Sequence, residues 1–117
     1  MTKAAQSVYY FGFYLLVVGL TLIFTPNILL EMFGLDTTSE VWIRVVGSLA
    51  FLLGIYYIRV APTENQTFLQ TTVYNRILVF GWFAFFILMG WVKWPLILFG
   101  VVDLLGAAWT WFSINRK

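Results

Sequence analysis

Neither cysteine nor histidine occurs among the 117 residues, and only 10% of the chain is charged. Without cysteine there are no thiol nucleophiles, disulfides or cysteine-held iron–sulfur clusters, and without either residue no Cys/His zinc site and no haem ligated by them. Catalytic triads and imidazole acid–base chemistry are excluded with them. The missing cysteines leave the redox compartment open. Seven basic and five acidic residues give a formal charge of +2 and are scattered along the chain. A nucleic-acid partner needs a basic patch or stripe on one face, and none is present.

What is abundant is apolar surface: 62% of residues are hydrophobic and 21% aromatic. Soluble domains run at roughly 45–50% apolar and about 25% charged. A soluble fold of this size buries only about 60–70% of what its unfolded chain exposes, too little to hide such a composition. The surrounding solvent is therefore expected to be largely lipid, and the fold class all-α: an integral membrane antiparallel four-helix bundle in a single domain.

A spanning helix needs about 20 predominantly apolar residues. The first candidate covers 7–24, in a stretch without charge between Lys3 and Glu31, and Thr25-Pro26-Asn27 stops it. It has no small-residue cleavage site after its apolar core, so it reads as a retained helix and not as a signal peptide. The run Ile28 to Gly34 is too short to span and suggests one or two turns in the interface, with Gly34 as terminator. Thr37 and Glu40 have the spacing of a capping box before a second span at 40–60. Thr63 and Gln66 repeat that spacing before a third at 67–92. Pro95 suits the first position of a fourth at 95–112.

Basic residues in short loops set orientation. With the N-terminus in the cytoplasm, Lys3, Arg59, Arg76, Arg116 and Lys117 fall on the inner side, against Arg44 and Lys93 on the outer. Both termini are therefore expected inside, in a bacterial inner membrane. Trp42, Trp91 and Trp94 mark one interface, and Tyr9, Tyr10, Tyr56, Tyr57, Tyr74, Trp109 and Trp111 the other. Lys93, between two tryptophans, reads as an interface anchor.

Lipid gives helices no hydrophobic reason to associate, so close approach at small residues has to hold them. Gly12 and Gly19 are seven apart in the first helix, and Gly47 and Gly54 repeat the spacing in the second. Such a period keeps glycines on one seam of a left-handed bundle. The third helix has Gly81 and Ala84 amid five aromatics and should present a broad aromatic surface, either lipid-facing and core-filling or a seat for a flat ligand or partner helix.

A charge within the bilayer costs about 2.5–3.5 kcal/mol on insertion scales and is a functional candidate by default. Asp103 sits eight residues past Pro95, about 12 Å along the axis, near mid-membrane. Gly100, Gly106, Ala107 and Thr110 share its face. Arg44 and Arg76 are within reach by helical rise, so an Asp103 ion pair with one or both is expected, assisted by Asn75, Ser48 and Thr110. Arg44, Arg76, Asp103 and Asn75 thus form the candidate polar network. Two readings stand: a contact that fixes helix register, or a pocket for a carbonyl, carboxylate or quinone-like head group or a proton-coupled acid.

The residues Trp42-Ile43-Arg44-Val45-Val46-Gly47, Gly54-Ile55-Tyr56-Tyr57, Asn75-Arg76 and Gly100 to Ala107 with Thr110 resemble the small four-helix bacterial membrane proteins grouped as DoxX-like or BphX-like. That resemblance implies the four-helix membrane fold and marks Arg44, Arg76 and Asp103, without implying an activity. Small multidrug transporters are a rival of similar length. They are built around a membrane-embedded glutamate in the first helix, and here the first helix has no acid, so Asp103 would have to serve. The first expectation is a non-enzymatic accessory or lipophile-binding component of the inner membrane, and the second a minimal oligomeric proton-coupled transporter. No cofactor and no metal are expected. The expected partners are the bilayer, a lipophilic or quinone-like ligand, and a homo-oligomer or larger membrane complex, with no nucleic acid.

Overall fold

A computed structural model describes residues 1–115, with side chains through Ile114, and the elements formed there are all helical. The basic residues Arg116 and Lys117, counted above for orientation, lie outside the described residues. Helix α1 covers Lys3–Phe24, α2 Pro26–Met32, α3 Trp42–Val60, α4 Gln66–Leu88 and α5 Ile97–Asn115. Single 3₁₀ turns at Ala61–Thr63 and Trp94–Leu96 precede α4 and α5. Four segments are long and apolar enough to cross a membrane: Lys3–Phe24, Trp42–Thr63, Gln66–Leu88 and Trp94–Ile114. By length and composition the chain is a multi-pass membrane protein.

Local chemistry explains where the helices end, and in several places differs from the expected caps. Helix α1 begins earlier than expected because the Thr2 hydroxyl accepts from the Ala5 amide at 3.2 Å. Pro26, expected only to stop the first helix, also occupies the first turn of α2. The box expected at Thr37 and Glu40 does not form, and α3 starts at Trp42 with no side-chain cap. Instead Thr38 donates its amide to Asn27 Oδ1 at 2.9 Å, and its hydroxyl accepts from Glu40 N at 3.1 Å. These bonds hold the segment back against α2 in a non-helical path.

Thr63 likewise does not cap α4; its hydroxyl donates to Val60 O at 2.6 Å, and Asn65 takes the role by accepting from Phe68 N at 2.9 Å. Helix α4 stops at Leu88, short of the expected 92. Gly90, at φ +76°, allows its own amide to reach Ile87 O and the Trp91 amide to reach Phe86 O. The same paired bonds close α2, with Gly34 at φ +70°, so its role as terminator holds. Pro95 lies in the 3₁₀ turn before α5 and not in the α-helix itself.

Packing follows the glycines. Helix α1 lies against α3 on one side and α5 on the other, α5 lies against α4, and α3 and α4 are not packed along one another. At the α1–α3 contact Gly19 faces Gly47 and Gly12 faces Gly54, so the two helices pass in opposite order. A Cβ on Gly19 would sit 2.7 Å from the Gly47 carbonyl oxygen. Lipid supplies no hydrophobic drive, and this backbone approach supplies van der Waals contact in its place. Gly106 meets Phe11 of α1 and Arg76 of α4, while Gly100 meets Phe80 and Phe83. On the outer surface α4 shows Leu78, Trp82, Phe85 and Leu88. The helix order α3, α1, α5, α4 leaves a cleft between the first and last of these, floored by α1 and α5.

Candidate functional site

Arg76 is buried in the interior at 2% exposure. Its position on α4 aims it across α5 at the small-residue face around Gly106. Nε donates to Thr72 O at 3.0 Å, one turn back on its own helix. Nη2 donates to Thr72 Oγ1 at 3.2 Å and to Thr110 Oγ1 at 2.7 Å. The Thr110 hydroxyl in turn bonds Ser7 Oγ of α1 at 2.6 Å and donates to Gly106 O at 3.1 Å. Three helices are thus tied by one guanidinium and two hydroxyls, all buried. The Phe11 ring lies over the guanidinium carbon at 4.9 Å, a cation–π contact that covers one face of the charge.

One part of this group is left over. Nη1 is fully buried and has no hydrogen-bond partner among the described residues. An unpaired buried donor on a charged group is costly, which marks the position.

The ion pair expected for Asp103 is not formed. Among the described residues the ion pair present is Lys93–Asp36 at 2.7 Å, and no guanidinium nitrogen comes within 4.0 Å of an Asp103 oxygen. Thr72 and Thr110 hold Nε and Nη2, and Nη1 is turned to Gly106 and the Phe11 ring instead of the Asp103 carboxyl. Asp103 stays close enough to act electrostatically on Arg76, Tyr14 and Tyr57. It is half-buried and makes no side-chain hydrogen bond among the described residues.

Arg44 is elsewhere. It is exposed, and its guanidinium donates to the Ile23 carbonyl in the last turn of α1, where a cation meets unpaired carbonyls. Asn75 is exposed at the mouth of the α3–α4 cleft, and Ser48 bonds its own helix at Val45 O. Of the four expected network residues, Arg76, Asp103 and Asn75 therefore border one cleft, while Arg44 caps a neighbouring helix. Lys93, read as a solitary anchor, links the α4–α5 turn to the segment after α2.

The cleft has a volume of about 300 Å³. Its walls are Phe11, Leu15, Leu53, Tyr57, Phe68, Val79 and Phe83, and its polar groups are Thr71, Thr72, Asn75, Arg76 and Asp103. A mostly apolar hollow with a few convergent polar groups is the usual form of a small-molecule site.

Tyr57 and Tyr14 were not among the expected site residues. Tyr57, assigned to an interfacial girdle, is 4% exposed and packs beside Arg76 and Phe68. The signal was present in the spacing: Tyr57 lies three residues after Gly54 and so shares the seam face of α3. Tyr14 has no comparable signal, because its approach to Asp103 depends on how α1 and α5 cross.

A second hollow, on the far side of the α4–α5 pair, is lined by Val73, Tyr74, Ile77, Leu104 and Trp111 with no charged side chain, as expected of a lipid-facing surface. Among the described residues no cluster of acidic side chains could hold a metal ion. Comparison with protein-family models, curated proteins and solved structures finds no match to this chain.

Proposed function

We propose that this chain is a non-enzymatic, lipophile-binding accessory component of a bacterial inner membrane. It is read as an antiparallel four-helix bundle with both termini in the cytoplasm, as the excess in the sequence of Lys3, Arg59, Arg76, Arg116 and Lys117 over Arg44 and Lys93 favours. The resemblance to DoxX-like and BphX-like proteins belongs to the same proposal. The observation that carries the binding role is the buried Arg76, whose Nη1 has no partner among the described residues, bordering an apolar cleft together with Asp103. A guanidinium is a permanent donor. A polar oxygen on a ligand satisfies it, while the aromatic walls hold the rest of the molecule. The reacting groups at hand are a carboxyl and tyrosines, which favours binding over catalysis.

Native mass spectrometry after gentle extraction tests this. The expected result is a retained lipophile that is lost in Leu53→Trp. Leu53 is 46% exposed and lines the cleft, so a larger ring there blocks the cleft without overfilling the core. A bare chain, or an adduct indifferent to Leu53→Trp, overturns the reading.

A second reading, a minimal oligomeric proton-coupled transporter, is favoured by one feature. Asp103 has no hydrogen-bond or ion-pair partner for its side chain among the described residues and borders hollows extending towards both ends of the helices. Substrate movement in proteoliposomes that follows a pH gradient and stops in Asp103→Asn would select it.

A further inference from the structure

A third hollow of about 210 Å³ lies on the α2 side of Asp103 and shares Leu15, Phe83 and Asp103 with the Arg76 cleft. Beyond that shared waist its walls are almost wholly apolar: Val18, Leu22, Val46, Ala50 and Phe99. Its far end is roofed by Leu30 of α2, by Leu35 and by Leu96. The roof is fastened by the Lys93–Asp36 pair and by the Phe33–Phe99 contact at 4.3 Å between ring centroids. From Asp103 to Leu96 is seven residues, about 10 Å of helical rise. The two hollows adjoin at Leu15, Phe83 and Asp103, so Asp103 borders both, Arg76 lies on the cleft side of it and a partly open apolar arm lies on the other.

We propose that these adjoining hollows take a single-chain aliphatic alcohol or a lipid built on one, its hydroxyl between Arg76 and Asp103 and its tail in the arm under α2. This rests on the lipophile-binding reading and specifies the ligand.

The head group follows from the donors and acceptors. Arg76 Nη1 can only donate, and an ionised Asp103 can only accept, so the group between them has to do both. A hydroxyl does so. The opposite formal charges of Arg76 and Asp103 cancel, and a third charge brought into the membrane interior would be uncompensated. A neutral head is therefore selected over a carboxylate. The tail contributes fit and not drive, because leaving lipid for an apolar arm gains no hydrophobic free energy. Specificity then comes from the head, and the arm sets which chains can follow it.

The test uses the full chain in lipid nanodiscs, with binding of tritiated decanol followed by scintillation proximity against empty discs. Saturable binding displaced by unlabelled decanol is expected. A decanone, which accepts but cannot donate, should compete at least about tenfold less well, as losing one hydrogen bond to a charged group implies. Decane, with no head, should not compete. Val46→Trp and Ala50→Phe both fill the arm, the first at a position 51% exposed and so at little cost to folding, and each should weaken decanol binding about tenfold or more.

Equal competition by the decanone overturns the head assignment. Undiminished binding in both arm variants overturns the tail assignment. Either result leaves the broader binding role standing if an adduct sensitive to Leu53→Trp is still found. No saturable decanol binding overturns the alcohol proposal outright, and the absence of any such adduct overturns the broader reading as well.

Discussion

Arg76 of α4 donates to Thr110 of α5 at 2.7 Å, and that same hydroxyl lies 2.6 Å from Ser7 of α1. The contact joins three of the four helices that floor and wall the cleft, so the position of the free Nη1 depends on it. Thr110→Val keeps the shape of the side chain but leaves Nη2 with Thr72 alone. A loss of about 1–2 kcal/mol is expected, above the average for membrane hydrogen bonds because the donor is charged and buried. Thr110→Ser should retain most of the stability. Reversible unfolding in mixed micelles, comparing the two variants with the parent, decides it.

The α1–α3 seam makes a second prediction. Gly19→Ala places a Cβ 2.7 Å from the Gly47 carbonyl oxygen and from Phe51 N, both backbone atoms that cannot swing aside. The helices must part, at a cost of about 1–3 kcal/mol. Gly81, on exposed α4 surface, has nothing within 4 Å of its would-be Cβ. Gly81→Ala should be neutral or stabilising by up to about 1 kcal/mol. Equal effects at both sites in thermal unfolding would show that the seam is not tightly packed.

Glu64 provides a pH-dependent contact at the opposite end from α2. The Thr2 amide donates to its carboxylate, and this bond, outweighing slight desolvation, holds the carboxyl below its usual 4.5. A lowered folded value means the contact contributes stability at neutral pH and loses it as pH falls below about 4.5. Amide exchange in the first turn of α1 should therefore accelerate below that pH relative to Glu64→Gln measured under the same conditions. Matching exchange in the two proteins would contradict it.

The Lys93–Asp36 pair, with side chains 60% and 78% exposed, should matter little to global stability. Asp36→Asn is expected to cost less than about 1 kcal/mol, and less still at high salt. Its effect should instead appear locally, as faster amide exchange around Leu35 where the segment roofs the apolar arm.

Much of this architecture was legible in the sequence because lipid imposes simple rules. Span number followed from apolar length, and the Gly12/Gly19 and Gly47/Gly54 periods marked the seam faces of two helices, while that the two seams meet each other was visible only in the structure. Caps were less legible. Threonine, asparagine and glutamate compete for the same amides: Asn65 took the cap that spacing alone assigns to Thr63, while Asn27 holds the Thr38 amide and no side chain caps α3. The charged residues were found but their partners were not. Helical rise places Arg44, Arg76 and Asp103 at compatible depths, yet which face of α5 meets α4 decides that Thr110 reaches Arg76 before Asp103 does. That choice is set by side-chain packing at Gly106 and Phe11, which no one-dimensional period encodes.

The most direct test of the binding role is the guanidinium itself. Solid-state nitrogen NMR on protein carrying isotope-labelled arginine, in bilayers, resolves Arg76 by comparison with Arg76→Lys. Titration with cyclohexanone, a small neutral carbonyl compound that needs no tail compartment, should shift the Nη1 resonance saturably while Nε and Nη2, already bonded to Thr72 and Thr110, stay in place; Leu53→Trp should abolish the shift. An Nη1 resonance that does not move, or that moves equally in Leu53→Trp, would contradict the assignment of the Arg76 cleft as a ligand site.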